Sequence, residues 1–140
     1  MIFESLATLS AGLFTGAAIY INLVEHPARM QCGVALAVTQ FAPSYERAAL
    51  MQASLAVVGS GSAAAAWLMG SSLSWLIGGI FLAAVIPFTL LVISPTNKQL
   101  LDPSLNKDSQ LAGQLLTRWG RLHAVRSALS FTAFLIFLAS

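Results

Sequence analysis

Charge is scarce in this chain. Of 140 residues, seven are Lys or Arg and five are Asp or Glu, together 9%, where an average soluble domain carries roughly 25%. So few charges cannot coat a water-soluble globule. Apolar residues reach 57% and the mean hydropathy is +0.79, which excludes a disordered chain. No Gly-X-Y period is present, so a fibrous chain is excluded too. Seven basic residues make too thin a surface for nucleic acid. The single cysteine, Cys32, excludes an internal disulfide, and no CxxC or Cys/His zinc spacing occurs. There is no Gly-rich phosphate loop, no GxSxG and no nucleophile–base–acid set. What remains is a small integral membrane protein made of one bundle.

The positions of the charges divide it. Leu6 to Val24 is 19 residues without charge, and Ala48 to Asn97 is 50. A membrane helix needs about 20 apolar residues, so the second stretch holds two spans with a turn at Gly70-Ser71-Ser72. The stretch Leu122 to Ser140 is apolar except for His123, Arg126 and small hydroxyls. The expected fold is all-α: a bundle of four transmembrane helices in a single domain, 1–140, with spans at about 5–25, 48–69, 73–94 and 119–139. Nothing basic precedes the first span, so it is expected to stay as a helix and not to be cleaved as a signal peptide.

All seven basic residues fall in or beside the first and third connections, which share one face of a four-span bundle. The positive-inside rule then puts loops 1 and 3 in the cytoplasm and both termini outside. A bacterial inner membrane is the expected location. Gly12 and Gly16 form a GxxxG, Gly59 to Ala66 is almost free of side chains, and Gly78-Gly79 follows in the third span. Small residues let helix backbones approach, within the chain or across a homo-oligomer. Pro87 predicts a kink.

Met30 to Phe41 is mostly apolar but too short to cross, so the first loop is expected to hold an interfacial segment. Ala42-Pro43-Ser44 would then start the second helix. Asp108 or Ser109 reads as the N-cap of the fourth. That helix, at ~1.5 Å per residue, exceeds the ~30 Å hydrocarbon layer and should extend into the cytoplasm.

The polar residues gather at one end. Thr15, Asn22 and His26 share a face of the first helix, and Trp119, His123, Arg126 and Ser130 share one of the fourth. Ionisable residues inside a membrane are costly and usually face the bundle interior with a partner. For Arg126 the expected partner is Glu25 or Glu46. Glu25, Tyr45 and Asn97 belong to the same opening. A histidine can take a proton near neutral pH, a buried arginine stabilises an oxyanion, and Trp119 and Tyr45 offer flat walls. The set suits deprotonation of a weakly acidic aromatic or enolisable molecule that partitions into lipid.

Leu13-Phe14-Thr15-Gly16, Glu25-His26-Pro27-Ala28-Arg29, Pro87-Phe88-Thr89, Pro95-Thr96-Asn97-Lys98 and Trp119-Gly120-Arg121-Leu122-His123-Ala124-Val125-Arg126 resemble the anthrone oxygenase-like family, small four-span membrane proteins. The resemblance spans nearly the whole chain. It implies oxidation of anthrones to anthraquinones with molecular oxygen and no recognised organic cofactor. It lends emphasis to His26, Asn97, Trp119, His123 and Arg126.

The expected activity is that of a membrane-embedded oxygenase acting on a lipophilic aromatic, anthrone-like substrate. His26 or His123 would act as general base, with Arg126 and Asn97 holding the anion and Asn22, Tyr45 and Trp119 binding the ring. The expected partners are the bilayer and a lipophilic small molecule. No cofactor is expected. Two alternatives stay open: a redox protein in which His26 and His123 hold haem, or with Glu25 a transition metal; and a non-enzymatic quinone- or lipid-binding protein or accessory subunit of a membrane complex.

Overall fold

The computed structural model describes residues 1–140. It holds four helices long and apolar enough to cross a membrane: α1 (Ile2–Gln31), α2 (Val34–Leu68), α3 (Leu73–Leu100) and α4 (Gln110–Ala139). α1 packs on α2 and α4, and α3 completes the ring between α2 and α4. The chain is thus an integral membrane four-helix bundle.

Glycine sets two of the connections. Gly70 has φ +104°. Its N–H donates to the Trp67 carbonyl, and the Ser71 N–H donates to the Ala66 carbonyl, both at 3.0 Å. This is the Schellman closure that only a left-handed residue completes cheaply. Gly33 has φ +94° and opens α2 directly after Cys32. The third connection is longer, and Ser109 caps α4 by accepting the Ala112 N–H at 3.1 Å.

The first loop corrects an expectation. Residues 34–41 form the opening turns of α2 and not a separate interfacial segment, and Pro43 lies inside the helix instead of at its start. The bond that Pro43 cannot make would go to the Thr39 carbonyl. Both residues are exposed, so water can meet that carbonyl near the membrane surface and the helix runs on. At ~1.5 Å per residue α2 is about 52 Å long, longer than the ~30 Å hydrocarbon layer.

α1 and α3 are interrupted by prolines in the same manner. A π-helical turn at Ile21–Glu25 is followed by His26-Pro27, and one at Thr89–Ile93 by Ser94-Pro95. In each, the residue before proline reaches back five positions, His26 N–H to the Ile21 carbonyl and Ser94 N–H to the Thr89 carbonyl. A proline ring needs room beside the preceding turn, and the wider π turn supplies it. Such turns are frequent at functional sites. Pro87 leaves its own mark, a break at Ala84 between two helical segments of α3.

Away from those interruptions the helices nearly touch. A Cβ on Gly59 would stand 2.6 Å from Leu82 Cδ2 and 3.0 Å from Ser10 Cβ, and one on Gly78 would stand 2.5 Å from Phe137 Cε1. Phe137 stacks on Trp75 with ring centres 5.2 Å apart. Of the GxxxG pair, Gly12 lies under Phe134 and Gly16 faces open space.

Candidate functional site

Trp119 is the hub of the polar cluster. Its indole N–H donates to Asn97 Oδ1 at 2.8 Å. His123 stacks on one side with ring centres 4.8 Å apart, and His26 leans on it at 5.2 Å. Phe41 meets it edge-on at 5.1 Å, and the Arg29 guanidinium carbon lies 5.7 Å from its ring centre. All four helices contribute. The site sits toward the end that carries the first and third connections, where the two π turns lie.

The hydrogen bonds fix both imidazoles. His26 Nε2 lies 2.9 Å from the Leu116 carbonyl. A carbonyl only accepts, so Nε2 carries the proton and Nδ1 is the unprotonated nitrogen; it is buried without a partner. His123 Nδ1 lies 2.8 Å from Asn22 Oδ1. The Asn22 amide is oriented in turn by its Nδ2, which donates to the Gly120 carbonyl at 3.0 Å, and by Ser127 Oγ, which donates to Asn22 Oδ1 at 2.6 Å. His123 therefore donates from Nδ1 and presents Nε2 as its lone pair.

Two connected cavities adjoin this cluster. The larger, about 200 Å³, opens between α2 and α3, with the exposed Ala53 and Leu90 at its mouth and Phe14, Gln52 and Arg126 inside. The smaller, about 20 Å³, is lined by Arg29, Ser44, Ala48, Trp119 and His123. Tyr45, Ala49, Gln52 and Arg126 border both.

Arg126 corrects a second expectation. Its partner is neither Glu25 nor Glu46: Nη2 donates to Gln52 Oε1 at 2.7 Å, the guanidinium lies 5.4 Å from the Phe14 ring centre, and Nε is buried without a partner. No carboxylate lies within ion-pair distance. An arginine at a membrane-helix centre costs about 2.5–3.5 kcal/mol even by insertion scales, so one without a carboxylate is a candidate functional residue.

Glu25 is occupied elsewhere. It pairs with Arg29 Nη2 at 2.8 Å, accepts from Gln40 Nε2 at 3.1 Å and also accepts from Ser44 Oγ. Arg29 keeps Nε and Nη1 buried and unpartnered.

Of the residues singled out in the sequence, Trp119, His123, Arg126 and Tyr45 border the cavities. Asn97, His26 and Asn22 lie behind them. Asn97 Oδ1 accepts from Trp119, and the side chain lines neither cavity beside Arg126. The conditional metal set of His26, His123 and Glu25 is not assembled: no group of three such side chains converges. The Trp119 indole also fills the space against both imidazoles that a porphyrin would need. Arg29, Ser44 and Gln52 were not anticipated as site residues. Their signals were Glu25 and Arg29 at i, i+4 and a lone amide in an uncharged span.

The anthrone oxygenase family matches residues 41–136, which include Tyr45, Gln52, Asn97, Trp119, His123 and Arg126 and leave α1 outside. Anthrone oxygenase tpcL of Aspergillus fumigatus is 41% identical over 61 residues, covering 41% of this chain and 38% of the relative. The chain thus spans under two fifths of that relative's length. No solved structure matches. The matched segment is more than half of the chain and carries the cavity-lining arginine, histidine and tryptophan; the chain belongs to the anthrone oxygenase family.

Proposed function

We propose that the chain oxidises the activated methylene of a lipophilic, anthrone-like aromatic to a ketone with molecular oxygen, releasing water. The observation that carries this reading is Arg126, buried without a carboxylate at the floor of a cavity that opens between two helices, one turn from the free Nε2 of His123. A scaffold protein has no use for such a charge. The cavity of about 200 Å³ is smaller than the ~300 Å³ and upward of drug-sized sites, so part of a planar ligand would lie in the mouth between α2 and α3.

The ring carbonyl oxygen sits at Arg126 in the larger cavity, and the methylene across the ring is turned toward the smaller one, which His123 lines. Residues three apart on a helix have Cβ atoms about 5–6 Å apart, which suits groups on opposite edges of one six-membered ring. His123 Nε2 takes the methylene proton, Asn22 supports the resulting imidazolium through Nδ1, and Arg126 holds the enolate oxygen. The enolate gives one electron to oxygen, the radical pair recombines at the same carbon, and the peroxide takes a proton. Loss of water from the hydroperoxide leaves the ketone. By the bias of basic residues, loops 1 and 3 face the cytoplasm.

The test is oxygen uptake and anthraquinone formation from anthrone by purified protein in nanodiscs. His123→Ala lowers turnover about 10²–10⁴-fold, and Arg126→Gln about 10²–10³-fold, with helical circular dichroism unchanged. Wild-type rates no faster than spontaneous autoxidation, or unchanged rates in both folded variants, overturn the reading.

A further inference from the structure

The 20 Å³ chamber holds what the proposed chemistry leaves unused. It cannot admit an aromatic ring, but about 10–15 Å³ already holds one water-sized particle. It lies on the His123 side of Arg126, where the deprotonated carbon would be attacked. Arg29 lines it, with only 5% of its surface exposed. Its Nη2 serves Glu25 and Ser44. Nε and Nη1 have no partner in the protein, although a buried guanidinium N–H left unpaired is costly. Glu25 balances the charge of Arg29, while Arg126, on the shared wall, has no carboxylate. The chamber is therefore small, net positive and lined by a guanidinium with two unpartnered nitrogens, which describes a receptor for one small monovalent anion.

We propose that this chamber is the oxygen site of the enzyme, in which Arg29 holds the oxygen-derived anion. The proposal rests on the oxygenase reading above. Dioxygen enters neutral and takes one electron from the enolate in the adjoining cavity. The superoxide so formed is held by the free N–H groups of Arg29 until a C–O bond forms at the radical carbon. The peroxide anion then receives the proton carried by His123. Electrons and protons balance within substrate, oxygen and His123.

A halide ion shares the charge and small size of the reduced oxygen species and serves as probe. The unfolding temperature of the resting protein is measured against chloride, with gluconate holding ionic strength constant. Saturable stabilisation by chloride is expected in the wild type. Ala48→Val, which fills the chamber and leaves every charge in place, and Glu25→Gln/Arg29→Gln, which removes the ion pair as a unit, each weaken chloride binding about tenfold or more. In turnover, chloride raises the apparent KM for oxygen and leaves that for the aromatic unchanged. Absence of saturable stabilisation in the wild type, or equal stabilisation of the folded Ala48→Val protein, overturns the anion site. Chloride competing with the aromatic, or with neither reactant, overturns the assignment to oxygen. The stability arm needs no turnover, so it decides the anion site even where the oxygenase reading fails.

Discussion

The two ends of this bundle solve opposite problems. At the end near the Gly70 turn, seven of twelve buried apolar residues are alanines, and glycines bring α2 and α3 against their neighbours. In lipid no hydrophobic force draws helices together, so close backbone contact is what holds them. At the other end only two of ten buried apolar residues are alanine, and Phe41, Trp119 and long aliphatic side chains replace them. There the prolines widen α1 and α3 into π turns, and charged and amide groups join the packing. Close packing in one half thus stands beside a costly polar cluster in the other.

Five substitutions sharpen that contrast. The largest effect is expected from Glu25→Leu, which leaves the buried Arg29 guanidinium without its half-buried carboxylate and costs about 3 kcal/mol, read by SDS-induced unfolding. In the packed half, Gly78→Val drives a side chain into Phe137 and costs about 2 kcal/mol by overpacking, measured the same way, while anthrone turnover per folded molecule is unchanged. A matched pair comes next. Trp119→Phe deletes an N–H that Asn97 accepts, whereas Trp75, stacked on Phe137, donates to nothing. Trp119→Phe should therefore cost about 1 kcal/mol more than Trp75→Phe; equal costs would break the comparison. The smallest effect lies outside the membrane. The Ser104 amide and hydroxyl hold the Asp102 carboxyl below its usual value. A carboxyl lowered on folding stabilises above its ordinary value and loses that contribution as pH falls below it. Asp102→Asn should slightly flatten the acid side of the stability profile.

Much of the architecture was legible because lipid imposes it. Uncharged length gave four helices, Gly70 the turn, and Ser109 the start of α4. The α2 start was missed because a proline was read as a boundary, when an exposed proline near water leaves a helix intact. The convergence of Trp119, His123 and Arg126 followed from helical spacing alone. Their partners did not. An acidic partner for Arg126 was the natural expectation, and only tertiary packing shows Gln52 there with Glu25 turned to Arg29. Asn97 was legible as a polar residue at the right depth, but the spacing could not say that Trp119 claims its carbonyl.

The doorway between Ala53 and Leu90 opens on the side of the bundle, between α2 and α3. For the lipophilic substrate proposed above, supply through this doorway would be metered by the membrane, following its mole fraction among lipids and not its concentration in water. Adding empty vesicles would dilute it without changing the total amount in the tube, and adding water would hardly matter. For oxygen, which dissolves better in hydrocarbon than in buffer, the same doorway opens onto the richer reservoir.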